Sequence, residues 1–171
     1  MGGGSIKLGA KVKFHQKLYL YGNGFIRIGD NCEFGYEIGG RFHNGCIEIQ
    51  TRENNAIINI GNNVLANNNL MIVARGNITI GDNCLIGKNV DIMDHNAHGV
   101  NPQERRTSPG TVKDVLIGRN VWIGNNVTIL PGTHIGDNSI VGVGSVVKGI
   151  YPDNVIIQGN LGKVVKHINV K

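Results

Sequence analysis

Aliphatic residues recur at strict six-residue intervals along the stretch from Val115 to Lys148. These positions are Ile117, Ile123, Ile129, Ile135, Val141 and Val147. A small or β-branched residue stands four residues after each of the first five, at Val121, Val127, Thr133, Ser139 and Ser145. An α-helix would need spacings of three and four, and an ordinary strand would alternate, so neither explains this period. The pattern predicts a repeating unit with two inward-facing positions.

Each short apolar step is followed by Gly-Asp, Gly-Asn or Gly-Arg in most repeats. Glycine and asparagine tolerate positive φ, so every unit is predicted to be a brief strand followed by a corner. Three units then form one triangular coil of a parallel β-helix, and coils stack about 4.8 Å apart. A thin core of this kind suits a chain with 40% hydrophobic but only 5% aromatic residues.

Weaker repeats extend the predicted all-β fold over the whole chain, as one domain covering residues 1–171. Ile6 to Leu20 fits a first coil, and the irregular interval from Gly40 to Asn55 fits a coil with a loop. The repeat stops between His98 and Asp114, where two prolines and several charges predict a protruding loop (about 98–114).

The end of the chain continues the pattern for a short distance. Val155 to Ile157 should close a last coil, and Val164 to Val170 should add a strand or short cap. No signal peptide and no apolar run near the ~20 residues of a membrane span are present, so no integral membrane segment is expected. A cytoplasmic location is the default expectation.

The net charge of +5 and the pI near 9.2 leave nucleic acid, an anionic membrane surface, or an anionic small molecule or glycan as partners. No basic run with interleaved aromatics appears, so nucleic acid is not expected. The three cysteines lack paired metal-ligand spacing, and Cys84 occupies an inward position, where packing is its predicted role.

From Ile60 to Lys148 these repeats resemble the hexapeptide-repeat acyltransferases, in particular the sugar O-acetyltransferases. The resemblance implies a left-handed parallel β-helix, although periodicity alone does not determine the hand. It also implies a homotrimer with active sites between protomers. Acetyl-CoA would be the cosubstrate, a saccharide or sugar nucleotide the acceptor, and no metal would be needed.

The resemblance makes His95, directly before the predicted loop, the general base. It would take the proton of an acceptor hydroxyl as that oxygen attacks the thioester, a task suited to imidazole at neutral pH. Its place at a corner predicts a ring that reaches solvent; the alternative is an ordinary surface histidine in a turn. Asp94 either orients the ring or points away, in which case a main-chain carbonyl would hold it.

Four further residues are candidates for binding the acceptor. Asn67 matches an asparagine that contacts the acceptor in the family. Arg75 stands where the family often has an acidic residue, which argues against a simple neutral sugar. Arg75, Arg105 and Arg106 can present planar donors to a carboxylate or phosphate, unless they are merely solvated charges.

The coenzyme signature is G-V-G-S-V-V-K, and it follows the motif V-W-I-G, in which Trp122 has a predicted outward position. By resemblance the residue lies beside the thioester, with its backbone N–H as a candidate oxyanion donor; a subunit contact is the alternative. The remaining candidates for the coenzyme are Gly142, Gly144, Ser145, Lys148, Lys163 and Lys166. The turn from Gly159 to Lys163 departs from the family's G-x-P-A-K pattern, which weakens the expected adenine contact.

The sequence therefore favours direct acetyl transfer to a sugar hydroxyl, with an acidic saccharide of a bacterial surface polymer as the expected acceptor. N-acetylation of a nucleotide-linked amino sugar would use the same residues. A zinc enzyme resembling the γ-class carbonic anhydrases, with His95, His98 and His134 as ligands, is an alternative of another class. A catalytically silent scaffold is the third.

Overall fold

The computed structural model describes residues 3–169, which form 21 β-strands in three sheets and, over this range, no helix. Sheet 1 contains, in spatial order, β1 (Ser5–Leu8), β4 (Phe25–Ile28), β7 (Ile57–Ile60), β10 (Asn77–Ile80), β13 (Val115–Ile117), β16 (His134–Ile135) and β19 (Ile150–Tyr151). Sheet 2 contains β2 (Lys13–Phe14), β5 (Glu33–Phe34), β8 (Leu65–Ala66), β11 (Leu85–Ile86), β14 (Trp122–Ile123), β17 (Ile140–Val141), β20 (Val155–Gln158) and β21 (Lys163–His167). Sheet 3 contains β3 (Leu18–Gly22), β6 (Ile47–Thr51), β9 (Leu70–Ala74), β12 (Val90–Met93), β15 (Thr128–Ile129) and β18 (Val146–Val147).

Consecutive strands pass from sheet 1 to sheet 2 to sheet 3 and back, so each round of the chain is one triangular coil. All neighbouring strands are parallel except β20 and β21. Every strand inside the stack pairs with the strand one coil before and one coil after it, and the strands at the ends of each sheet pair on one side only. The predicted parallel β-helix is confirmed.

The core is a narrow aliphatic column inside this prism. All six positions of the period that begins at Ile117 are buried, and so are the five small or β-branched residues, among them Val121 and Ser139. The repeat therefore has the two inward positions that its sequence predicts. Towards the first coil the column widens to admit Phe14, which stacks on Phe34 with ring centroids 5.1 Å apart.

Asparagines at positive φ make many of the corners. Asn89 is one example, at φ 54°, a conformation that asparagine adopts more readily than most residues. Its amide donates to Asn126 Oδ1 at 2.8 Å and its Oδ1 accepts from Asn69 Nδ2 at 3.0 Å. The turn residues thus also hydrogen-bond neighbouring coils to each other.

Two long loops leave the prism at different corners. The first (residues 35–46) follows sheet 2 and is held by two buried amide side chains. Gln16 donates to the carbonyls of Arg41 and Phe42, and Asn68 donates to that of Tyr36. The second loop lies between β12 and β13 and contains the predicted interruption at 98–114.

The C-terminal segment adds the short strand that the sequence predicts. β21 runs antiparallel to β20 at the edge of sheet 2. Val170, the predicted last residue of this segment, lies outside the described residues. Within residues 3–169 no helix is long and apolar enough to cross a membrane.

Candidate active site

Asp94 and His95 lie side by side at the corner between sheets 3 and 1, directly after β12. The strand alternation continues for one step, so Asp94 points inward and is fully buried. Its carboxylate accepts hydrogen bonds from the backbone N–H groups of Arg75 at 2.9 Å and Gly76 at 2.7 Å. It also lies 2.9 Å from His95 Nδ1. This carboxylate is therefore held in one position by the neighbouring coil.

The ring of His95 is buried, with only 4% of the residue exposed. The prediction that the ring reaches solvent was wrong, because a β-bridge from His95 to Val112 folds the neck of the second loop against it. The sequence left two positions open for Asp94, one in contact with the ring and one pointing away from it. In the structure the Asp94 carboxylate contacts the ring directly.

The proton on His95 can be assigned from its two neighbours. Arg52 Nη1 lies 3.5 Å from Nε2 of the ring. The Asp94 carboxylate already accepts two backbone N–H groups and faces Nδ1 as an acceptor, and the guanidinium, which has donors only, fits a lone pair on Nε2. Nδ1 then carries the hydrogen and donates it to Asp94. This tautomer leaves the lone pair of Nε2 on the side of the ring that faces Arg52.

Arg75 is fully engaged within the chain and does not face an open surface. Its guanidinium donates to Glu53 Oε1 at 2.8 and 3.0 Å and to the main-chain carbonyl of Pro109 in the second loop. Arg75 therefore holds the second loop against the prism, and its role in acceptor binding stays a prediction. Arg105 and Arg106 lie exposed at the loop's tip and make no ion pair within residues 3–169.

Trp122 and Asn67 lie on a different face from His95. Trp122 is 54% exposed on the outer side of sheet 2, where it pairs in register with Leu85. A cavity of about 430 Å³ opens beside it. Its lining includes Tyr36, Leu65, Asn67, Leu85, Trp122 and Asn125. One chain therefore does not bring its predicted base and its predicted thioester contact together.

The backbone N–H of Trp122 donates to the Ser139 carbonyl at 2.9 Å in the strand ladder. The prediction that this group serves as an oxyanion donor was wrong, because parallel pairing with β17 already uses it. Any direct contribution of Trp122 must come from its indole ring. Asn67 uses its side-chain oxygen to accept the Asn68 N–H at 2.7 Å, and its amide nitrogen remains available.

The predicted coenzyme residues divide into two groups. Ser145 is fully buried and its hydroxyl accepts the Gly159 N–H at 3.1 Å, so its side chain cannot reach a surface ligand. A Cβ on Gly142 would approach Gln158 to 3.0 Å, and Gly144 has φ 71°, so both glycines also have reasons within the fold.

The lysines form the second group. The Tyr151 hydroxyl shares its one hydrogen between the carbonyls of Lys148 at 3.0 Å and Gly162 at 2.9 Å, which brings Lys148 and Lys163 to the same end of the prism. Both side chains are exposed, as is that of Lys166 further along β21. Exposed ammonium groups placed in this way suit a phosphate-rich ligand.

The three histidines of the zinc alternative are spread over the prism. His98 is exposed in the second loop, and His134 points outward from β16. Within residues 3–169 of one chain, no three histidine, cysteine or acidic side chains lie close enough to hold a metal ion.

Arg52 is one of two residues in this region that sequence reasoning missed. It follows β6 in the irregular interval where the six-residue period is lost, so no repeat position marked it. Glu53, the partner of Arg75, was missed for the same reason.

The chain is similar to known proteins both in sequence and in structure. The family model described as "Bacterial transferase hexapeptide (six repeats)" matches residues 114–149, and "Hexapeptide repeat of succinyl-transferase" matches residues 77–100. The galactoside O-acetyltransferase of Escherichia coli K12 is 44% identical over 112 residues, which are 66% of this chain and 55% of that protein.

WbbJ of Escherichia coli K12, provisionally named a lipopolysaccharide biosynthesis O-acetyl transferase, is 35% identical over 159 residues. That match covers 88% of this chain and 76% of WbbJ. A solved galactoside acetyltransferase in complex with coenzyme A superposes with a TM-score of 0.62 at 31% identity. The superposition covers 92% of this chain and 65% of the solved one.

Proposed function

The chain belongs to the hexapeptide-repeat acetyltransferase family, and we propose that it transfers an acetyl group from acetyl-CoA to a hydroxyl group of a saccharide. Its fold is the left-handed parallel β-helix of that family. The galactoside and lipopolysaccharide O-acetyltransferases named above support a sugar as acceptor, while the chain spans only 55% of the first of them.

The observation that carries the proposal is the position of His95 between Asp94 and Arg52. Nε2 holds the lone pair that a general base needs. As the acceptor oxygen attacks the thioester carbonyl, its proton passes to Nε2, and the bond from carbon to sulfur breaks. The thiolate of CoA leaves and takes up the proton, so the products are free CoA and an O-acetyl ester. Asp94 keeps the ring in the basic tautomer and stabilises the imidazolium.

The exposed lysines at the end of the prism are proposed to meet the phosphates of acetyl-CoA. Lys148 and Lys163 lie together there and Lys166 follows on β21. The indole of Trp122 provides an apolar surface for the acyl end of the ligand on sheet 2, which also contains Lys163 and Lys166 in β21.

A homotrimer is proposed because the two halves of the site occupy different faces of one protomer. Asp94 and His95 lie where sheets 3 and 1 meet, whereas Trp122 and Asn67 lie on sheet 2. A threefold arrangement would set the corner of one protomer against sheet 2 of the next and complete the site.

The proposed acceptor is an acidic saccharide of a bacterial surface polysaccharide. The net charge of +5, together with the exposed Arg105 and Arg106, favours an anionic ligand. The name of WbbJ supports a surface polymer.

Release of free thiol from acetyl-CoA tests the proposal. The wild-type protein is assayed with neutral, amino and acidic sugars as acceptors. We expect His95→Ala to lower kcat by roughly 10²–10⁴-fold while CoA binding is retained. His98→Ala is the matched control, since His98 is an exposed histidine three residues further along the second loop, and it should leave turnover close to wild type.

A loss confined to His98→Ala would overturn the assignment of the base. If none of the sugars supports turnover of acetyl-CoA and CoA does not bind, the proposed function itself is overturned. Preference for an amino sugar would replace O-acetylation by N-acetylation at the same base.

A further inference from the structure

Arg52 lies where its side chain can act on both His95 and an approaching acceptor. It leaves the prism just after β6, which is separated from β12 by β9 in sheet 3. Its side chain spans that strand and brings Nη1 to 3.5 Å from His95 Nε2. The guanidinium therefore stands in front of the nitrogen that must receive the acceptor's proton.

No ion pair neutralises the charge of Arg52 within the part of the chain that the structure describes. Arg75 is paired with Glu53 and Arg119 with Asp137, each at 2.8 Å. Within residues 3–169, no carboxylate lies within ion-pairing distance of Arg52, whose further contact is the Gln50 amide oxygen at 3.4 Å. Glu48, the acid on the outer side of the same strand, accepts a hydrogen bond from the Tyr21 hydroxyl at 3.0 Å instead.

Neither contact of Arg52 is strong enough to hold it in place. Distances of 3.4 and 3.5 Å to neutral partners are at the weak end for hydrogen bonds, and the residue is exposed. A carboxylate would be a better partner, because the planar guanidinium can donate two parallel hydrogen bonds to it. A ligand carboxylate could therefore draw Arg52 off the ring and uncover Nε2.

We propose that Arg52 is the specificity-determining residue of the acceptor site, and that it binds the carboxylate of an acidic sugar while His95 takes the proton of a hydroxyl on the same sugar. The inference rests on the proposed function and refines it. Because the guanidinium and Nε2 are adjacent, the carboxylate and the acetylated hydroxyl must belong to the same sugar unit. A uronic or nonulosonic acid unit meets this requirement, whereas an acidic group on a distant unit of a polymer does not.

The surface beside Arg52 suits a sugar ring. Tyr21 is 43% exposed on β3 and pairs in register with Gln50, the residue whose amide contacts Arg52. An exposed aromatic face next to polar side chains is a typical contact surface for saccharides, because it offers them one apolar and one polar side.

The experiment compares a pair of acceptors that differ only at the carboxylate: an acidic sugar and its methyl ester, which keeps every hydroxyl. Acetyl-CoA turnover is measured for wild type, Arg52→Gln and Arg52→Lys. Arg27→Gln is the control, because Arg27 is an exposed arginine on the outer side of sheet 1. Circular dichroism confirms that each variant is folded, and the mass of the native oligomer in solution confirms that it is assembled.

Wild type and Arg27→Gln should prefer the acid over the ester. In Arg52→Gln the KM for the acid should rise by roughly 10–100-fold, as expected for loss of a charge-assisted pair, with little change for the ester. Arg52→Lys should recover part of the preference, since it keeps the charge but not the planar fork.

Equal losses on acid and ester in Arg52→Gln would overturn the inference, and so would a wild type that does not distinguish them. In either case turnover that still depends on His95 would leave the proposed function intact. Absence of turnover on every sugar would overturn both.

Discussion

The Asp94 carboxylate lies 2.9 Å from Nδ1 of His95 although the two residues are adjacent in the chain. Neighbours in an extended strand point to opposite sides, and here the chain turns the corner between them. The backbone N–H groups of Arg75 and Gly76 hold the carboxylate from the preceding coil. The orientation of His95 is therefore built by two separate segments, residues 75–76 and residues 94–95.

Asp94→Asn should lower kcat/KM by roughly 10²–10⁴-fold, because a neutral amide can present its NH₂ to the ring and favour the wrong tautomer. The variant should also lose thermal stability, since a buried acceptor of backbone hydrogen bonds is weakened. Asp91→Asn on the same strand is the control. Burial raises the pKa of the Asp91 carboxyl, so its neutral replacement should not harm folding. Equal activity of the two variants would contradict the role of Asp94.

Co-expression of two inactive variants tests whether the site spans two protomers. His95→Ala and Trp122→Ala should each be impaired alone, because each removes one half of every site. Random mixing should restore about one quarter of the sites, those with a native half from each neighbour. His95→Ala mixed with Asp94→Asn is the negative control, since both residues lie in one chain at one corner. No recovery in the first mixture would show that the site does not combine His95 with Trp122 of a neighbour.

Arg75→Gln should loosen the second loop without unfolding the prism. The side chain joins Glu53 on the prism to the Pro109 carbonyl on the loop, and glutamine cannot make both contacts. Trypsin cleavage after Arg105 or Arg106 should become roughly 10–100-fold faster, following the loss of charge-assisted hydrogen bonds. Intact mass after timed digestion measures the effect. Arg119→Gln, which breaks the exposed pair with Asp137, should leave the cleavage rate at these sites unchanged.

Cys84 should make the protein less stable at alkaline pH. Burial raises the pKa of its thiol from 9.0 to about 11. Above pH 9 the unfolded chain loses this proton first, so stability falls with rising pH until the folded thiol also ionises near pH 11. The total contribution is about 2–3 kcal/mol at roughly 1.4 kcal/mol per pKa unit.

Thermal unfolding of wild type, Cys84→Ala and Cys46→Ala between pH 7.5 and 10.5 checks this prediction. Cys84→Ala should show a smaller fall than wild type across that range, whatever its stability at pH 7.5. Burial also raises the pKa of Cys32, so part of the fall should remain. An unchanged slope in Cys84→Ala, or a reduced slope in Cys46→Ala, would contradict the assignment.

The fold could be predicted because each coil repeats the same local requirement. Ile117 and Val121 belong to a unit that needs one large and one small inward residue, and this spacing is visible in the chain itself. The start of the excursion near His98 and the last coil at Val155 were visible for the same reason, as a stop and a return of the period.

The sequence by itself determined the prism, its core positions and the presence of His95 before a loop, because these depend on residues a few positions apart. The tertiary structure decided what surrounds His95, since Asp94, Arg75 and Arg52 meet there only when separate coils stack. It also removed Ser145 and the Trp122 N–H from the predicted site, because inward packing and strand pairing already use them. Short-range patterning specifies which residues face in or out, whereas contacts between coils specify which polar groups remain free for chemistry.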